Sequence, residues 1–326
     1  MKSRHLTLST PCSSLRRLMF DVRCPTLLIL ALSCATLNAD EPVLLRYQFT
    51  KGEQVQWKVI HLGTTETKIQ GNTQTSKSRS VSTKAWEVSE VDADGNFTFS
   101  HTVTNVNMWQ QLSDRPEVRY NSETDTEVPP EYQQVAKTVG VPLATVTISP
   151  KGDIVGREGS EANEKFGVGG IVMLLPEKPV KPDSRWYEPS ELHTRLPDGR
   201  VKKIKIRKNY TLEKIQTGVA TISVKTEVLT PVNDPRIESQ LVQQLTDGTI
   251  KFDVDAGRII SKEMNWDETV VGFNGADSMM KYLARFTEEL IPTERTAGKP
   301  QVEADATPVV ETARTSRDDK PALRRE

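Results

Sequence analysis

From Val43 onward, apolar residues return at every second position. In QVQWKVIHL (54–62), Val55, Trp57 and Val59 share one side, while Gln54, Gln56 and Lys58 share the other. That alternation predicts a half-buried β-strand. VLLRYQFT (43–50) has the same period and joins it through a turn at Gly52. Residues 63–82 are rich in Thr, Ser, Gln and Lys and fit a polar strand and a loop equally well.

Further along, one arrangement is written twice. In AWEVSEVDADGNFTFSHTV (85–103), Trp86 and Val88 share a face, Val91 breaks parity, a turn follows, and Phe97 and Phe99 start a new strand. In NYTLEKIQTGVATISVKTEV (209–228), Tyr210 and Leu212 share a face, Ile215 breaks parity, a turn holds Gly218, and Ala220, Ile222 and Val224 follow. A parity slip at the same step predicts a β-bulge in each copy. PPEYQQVAKTVG then sets Tyr132, Val135, Ala136 and Val139 at helical spacing. DPRIESQLVQQLTDG does the same with Ile237, Leu241 and Leu245, with Asp234 as N-cap and Pro235 at the first helical position. Each helix leads to a tight hairpin, TISPKGDIVG around Gly152 and KFDVDAGRII around Gly257. The step from Tyr132 to Gly152 equals that from Ile237 to Gly257. Bulged hairpin, short helix and second hairpin in the same order predict an internal duplication.

Between the copies, GVGGIVMLLPEKPVKPDSRW contains an apolar run from Ile171 to Leu175. Pro176, Pro179 and Pro182 then make a stiff connector into Trp186. After the second copy, ADSMMKYLARFTEELIP predicts an amphipathic helix, with Met279, Leu283, Phe286 and Leu290 on one face. From Thr293 the chain turns polar and charge-alternating, which predicts a disordered tail over 293–326. The domain expectation is a signal peptide at 1–39, a first β-rich half at 40–180, and a second at 181–292 with its C-terminal helix.

Composition adds the address. Arg16, Arg17 and Arg23 precede the apolar run TLLILALSCATL (26–37), and Ala39 before Asp40 is a cleavage point for an export signal, whether translation starts at Met1 or Met19. The run falls well short of the roughly 20 residues a membrane span requires. Cys12, Cys24 and Cys34 all precede the cleavage point, so the remainder has no disulfide, thiolate nucleophile or Cys-bound metal. A lipid anchor on Cys34 is the alternative, although Ala31-Leu32-Ser33 is a poor lipoprotein signal. Lys+Arg of 43 against Asp+Glu of 44 leaves no broad cationic surface for nucleic acid.

Candidate chemistry is sparse. Asp92, Asp94 and Asn96 alternate like the start of a calcium loop, but Phe97 stands where glycine is required and Val103 where glutamate is required. His61, His101 and His193 form no zinc-type pair, and no Gly-x-Ser-x-Gly occurs. His61 continues the face of Val55, Trp57 and Val59, and His101 that of Phe97 and Phe99. Gly167, Gly169 and Gly170 lack the spacing of a dinucleotide fingerprint. Glu288 and Glu289, adjacent on the expected helix, point apart. No catalytic residue, cofactor or metal is assigned. The remaining candidates are aromatic and thioether groups at strand ends, Met108 with Trp109 and Trp186 with Tyr187, as ligand-binding residues.

LLRYQFTKGEQVQWKV, TISPKGDIV, LLPEKPVKPDSRW and GTIKFDVDAGRI together resemble a β-rich domain of unknown function found in secreted planctomycete proteins, over roughly residues 43–292. Pro182-Asp183-Ser184-Arg185-Trp186 departs from the Gly-Asp-x-Trp of that pattern. The resemblance implies export and β structure and transfers no catalytic residue. The expected fold is mainly β (α+β), with antiparallel curved sheets from two related halves and a few packed helices, half-barrel-like in outline. The expected function is a non-enzymatic binding or interaction module for a protein or an apolar small molecule. A carrier of apolar ligands and a hydrolase with a dispersed site are the alternatives.

Overall fold

The computed structural model describes residues 41–159, 172–196 and 198–292. The expected export signal, the three cysteines, Gly167–Gly170 and the tail lie outside them. The described chain is mainly β and antiparallel. Its elements are β1 (Gln54–Ile69), β2 (Asn72–Val91), β3 (Phe97–Leu112), β4 (Val118–Asn121), α1 (Gln133–Ala136), β5 (Pro142–Ile148), β6 (Ile154–Gly159), β7 (Arg185–Arg195), β8 (Val201–Gln216), β9 (Val219–Val228), α2 (Pro235–Leu241), β10 (Asp247–Asp253), β11 (Arg258–Val271) and β12 (Ser278–Ile291). All the strands belong to one 12-stranded sheet in the order β6-β5-β3-β2-β1-β12-β11-β10-β9-β8-β7, with β4 beside β3. β6 and β7 end the order without pairing to each other, so the sheet curves but stays open.

The strand order repeats. β6-β5-β3-β2-β1 and β11-β10-β9-β8-β7 run across the sheet in the same sense, each from a hairpin around its glycine turn back to its first strand. Both expected bulges are present, between Val88 and Glu90 in β2 and between Leu212 and Lys214 in β8. The polar stretch 63–82 is strand, because β1 and β2 form one long hairpin. Gln70 (φ 49°) and Gly71 (φ 82°) close it, both left-handed as a two-residue hairpin turn demands. α2 starts as expected: the Asp234 carboxylate accepts from the Arg236 N–H, and Pro235 opens the helix.

The expected amphipathic helix is corrected. Residues 278–291 form β12, which pairs with β1 along its full length and with β11 on its other edge. The sequence SMMKYLARFTEELI is rich in helix formers, and its apolar residues satisfy a period of two as well as one near 3.6. A central strand with two partners gains both ladders, and that tertiary pairing outweighs local propensity. Met280, Tyr282, Phe286 and Leu290 share the concave side, whereas Leu283 is 37% exposed on the other.

Residues 43–50 are extended and one-sided, as expected, but they leave the sheet and cross its concave face as a strap. Leu45, Tyr47 and Phe49 are buried in the main core, among Trp57, Trp86, Phe97, Phe99, Leu212, Ile222 and Phe252. The Tyr47 ring sits 6.5 Å from Phe97 on β3 and 5.5 Å from Phe252 on β10. Those strands lie far apart in the sheet order, so its curvature brings both halves onto the strap. The twin hairpin turns hold it: the Tyr47 N–H donates to Pro150 O at 2.7 Å, and the Gln48 N–H to Gly257 O at 3.0 Å. Gly152 (φ +94°) and Gly257 (φ +61°) are needed at these contacts. An added Cβ would lie 2.6 Å from Met173 O in the first and 2.6 Å from the Gln48 nitrogen in the second. The proline connector runs alongside, with Val180 bridged to Val43 and the Arg46 guanidinium donating to Pro176 O and Glu177 O.

Candidate functional site

The concave face changes character along the strands. Below the strap it is a filled aromatic core. Trp86 stacks on Phe99 at 4.2 Å and meets Trp57 edge-on at 4.7 Å. Where the core ends, a row of buried polar groups crosses the sheet: His101 on β3, Lys84 on β2, Glu288 on β12 and Lys262 on β11. They are 0%, 6%, 4% and 8% exposed. Strand parity puts them there. Lys84 shares a face with Trp86, and Lys262 lies opposite Glu288 in the β11–β12 ladder.

The row contains one carboxylate and two ammonium groups. Lys84 Nζ donates to Glu288 Oε1 at 2.7 Å, and Lys262 Nζ lies 4.0 Å from Glu288 Oε2. Burial alone would raise the Glu288 carboxyl, but Lys262 and Lys84 outweigh it and hold the group below its usual range. Burial pulls Lys84 down to about 8 against the attraction of Glu288. The Lys84 ammonium also sits 4.5 Å from the Trp57 ring centre and 5.2 Å from that of Trp86, a cation–π cradle that offsets part of its desolvation. Burial, reinforced by Lys84, lowers His101 to about 4, so its ring is neutral, and neither ring nitrogen has a hydrogen-bond partner among the described residues.

Above this row a pocket of about 380 Å3 opens over the second half of the sheet. Its apolar wall comes from Met173 beside the connector, Ile206 and Tyr210 on β8, and Met264, Trp266 and Phe286 on β11 and β12. Gln243, Gln244 and Thr246, just after α2, form the rim. Trp266 Nε1 donates to Gln243 O at 3.1 Å, which fixes that rim to the sheet. Lys262 is a wall residue of this pocket as well as a member of the charged row. On the far side Lys208 lies 3.8 Å from Glu188, which also accepts from the Tyr210 hydroxyl at 2.8 Å.

The four aromatic and thioether candidates do not form one site. Met108 packs beside Val106, Tyr120 and Tyr132, near α1. Trp109, the next residue, faces the convex side and pairs across the ladder with Arg79. Trp186 packs against the main core, stacking on Tyr210 at 5.6 Å and donating to Leu174 O at 2.8 Å. Tyr187 is 62% exposed on the convex face, with the Arg207 guanidinium 5.7 Å from its ring centre. Alternation sends the side chains of each neighbouring pair to opposite faces, although Trp186 and Tyr187 both line a pocket of about 640 Å3 with Arg207, Asn209 and Glu227.

Sequence reasoning missed the charged row because Glu288 was placed on a helix. One signal was present: Lys84 interrupts the apolar parity of Trp86 and Val88, and Lys262 that of Met264 and Trp266. The three histidines stay apart, and none hydrogen-bonds a carboxylate or hydroxyl among the described residues; His61 packs 6.3 Å from Trp266. Asp92 accepts from the N–H groups of Asp94 and Asn96 as a hairpin turn. Among the described residues no cluster of metal-ligating side chains occurs, and no helix is long and apolar enough to cross a membrane.

No family model matches the chain, and no curated protein matches it. Solved structures do. A structure described as lipid–protein interactions in lipovitellin aligns with 13% identity and a TM-score of 0.46 over 75% of this chain, which spans 26% of that one. The Salmonella SPI-1 type III secretion injectisome secretin InvG aligns with 9% identity and a TM-score of 0.17, covering 75% of this chain and 62% of that one. A DUF1329 family protein from Desulfovibrio piger aligns with 9% identity and a TM-score of 0.12, covering 74% and 87%.

Proposed function

We propose that this chain is an exported, non-enzymatic binding protein whose concave pocket takes the apolar body of a small molecule. The observation that carries the reading is the pocket itself: about 380 Å3, walled by Met173, Ile206, Met264, Trp266 and Phe286, with a few polar groups at fixed places. Ligand sites commonly have this volume and composition. None of the three histidines hydrogen-bonds a carboxylate or hydroxyl among the described residues, which supports binding over hydrolysis, since a dispersed site would need a base within hydrogen-bond reach of its partner. Export is supported by the cationic and apolar start of the sequence and by the lack of cysteine after position 34.

The test is extraction of the full chain, expressed with its N-terminal segment, followed by mass spectrometry of the organic phase. The expected result is a stoichiometric apolar small molecule, lost in Gln244→Trp, which places an indole at the exposed rim of the pocket. Protein that carries no organic molecule and binds no long-chain alcohol when one is supplied would end the reading.

A further inference from the structure

The convex face of β7–β10 carries a second hollow, of about 640 Å3 and of different chemistry. Ladder pairing sets Tyr187, Asn209, Lys225 and Asp247 in one row across the four strands, and Arg185, Thr211 and Ser223 in the next. The exposed Tyr187 ring has the Arg207 guanidinium 5.7 Å from its centre. Arg207 is itself fixed: its Nε and Nη2 donate to Glu227 Oε2 at 3.0 Å and 2.8 Å, and Asn209 Nδ2 donates to the same oxygen at 3.1 Å. Three donors on one oxygen leave Glu227 Oε1 and Arg207 Nη1 without a hydrogen bond among the described residues. An acceptor and a donor are thus held in place beside an exposed aromatic ring. The charges of the hollow are uneven. Glu227 balances Arg207, and Asp247 lies 3.8 Å from Lys225. Arg185, two residues before Tyr187 on the same face, has no ion-pair partner among the described residues.

We propose that this face binds an acidic glycan, a uronate-bearing oligosaccharide, with one sugar ring on Tyr187, its hydroxyls on the Arg207–Glu227 pair and a carboxylate on Arg185. A pyranose has an apolar C–H face that lies against an aromatic ring, and neighbouring hydroxyls that each donate and accept. Strands lie about 4.8 Å apart, close to the length of one pyranose, so successive sugars can step along the row from Tyr187 towards Asp247. An added peptide strand finds no partners here, because the main-chain groups of β8 and β9 are spent on their ladders. A nucleic acid would need clustered cations, and two of the three here are already paired. The site lies on the opposite side of the sheet from the apolar pocket and stands whether or not that pocket is filled.

The test titrates hexagalacturonate and hexamannuronate, each with its methyl ester, into the full chain by calorimetry at low salt. At least one acid form should bind, about three- to fivefold more tightly than its ester, the worth of an ion pair at an exposed site. Arg185→Gln should bring that acid down to the level of its ester and leave the ester unchanged. Tyr187→Ala should weaken both forms about tenfold, and Tyr187→Phe should restore them. Trp109→Ala, which alters a convex-face aromatic outside the hollow, should change nothing. Arg185 and Tyr187 are exposed, so an unchanged thermal midpoint will show that their variants fold. Equal binding of acid and ester by the unaltered protein, or binding indifferent to Tyr187→Ala, overturns the proposal. So does failure of both uronates to bind, an outcome that leaves the apolar pocket untouched.

Discussion

His101 occupies an environment that only a neutral ring tolerates. It is fully buried, and both ring nitrogens lack partners among the described residues. Its folded pKa is depressed from 6.5 to about 4, so the stability it contributes is present above pH 6.5 and is lost as pH falls toward 4. A shift of that size corresponds to roughly 3 kcal/mol across the window. His101→Phe removes the titration and two unsatisfied polar atoms, each worth roughly 1–3 kcal/mol. The urea midpoint of the variant should therefore equal or exceed that of the unaltered protein at pH 7.5, and the gap should widen at pH 4.5. A gap that narrows on acidification would mean the ring is charged when folded.

Glu288 answers to the opposite logic. Glu288→Gln leaves two buried ammonium groups without their carboxylate and should cost ~3–5 kcal/mol. Glu289→Gln, next in sequence but exposed on the other face, should stay within about 0.5 kcal/mol. Equal effects in chemical denaturation would contradict the placement of these residues on a strand.

Among the elements, β12 shows where pattern reading stops. The bulges, the glycine turns and the cap on α2 were legible because their causes are local: a parity slip, a left-handed φ, a side chain reaching a backbone N–H two residues on. β12 was not, because Met279, Leu283, Phe286 and Leu290 satisfy the helical spacing, and the ladders that decide the matter belong to β1 and β11. A peptide of residues 277–292 should accordingly become helical in trifluoroethanol by circular dichroism, while the same amides in the intact protein exchange slowly as central-strand amides. The strap was legible as extended and one-sided, since Leu45, Tyr47 and Phe49 alternate. That it crosses the sheet instead of joining it is a question of hydrogen-bond partner, on which periodicity is silent.

The strap also turns the repeated glycine turns into a measurable pair. Gly257→Ala and Gly152→Ala both place a Cβ within 2.6 Å of backbone, whereas Gly199→Ala, at φ +84°, meets nothing within 4 Å. Gly199→Ala should cost about 1 kcal/mol for its backbone alone, and the other two clearly more, read as falls in thermal midpoint. Similar losses in all three would mean that the turns do not clamp the strap.

At the scale of the whole molecule, the two strand sets do not behave as separate bodies. β12 joins β1 to β11, and one core takes residues from β1, β2, β3, β5, β8, β9, β10 and β11 around the strap. Unfolding followed by Trp fluorescence and by far-ultraviolet circular dichroism should give coincident transitions, and two resolved steps would show that the halves are independent. The pocket itself was not legible in the sequence. Its wall draws on residues from 172 to 286 that meet only once the sheet curves, whereas Met108, Trp109, Trp186 and Tyr187 stand out in the sequence as local clusters, and strand alternation turns the side chains of each neighbouring pair to opposite faces.

One consequence follows from β1 lying beside β12. Synthesis delivers Trp57 near the beginning and its neighbour Leu290 more than two hundred residues later, and the second clamp on the strap, at Gly257, also emerges late. The centre of the sheet is thus completed only when β12 has been synthesised. Until then β1 carries a bare hydrogen-bonding edge, open to any passing chain. A nascent chain interrupted before Ser278 keeps that edge for good, so truncated products of this protein should aggregate more readily than the full chain.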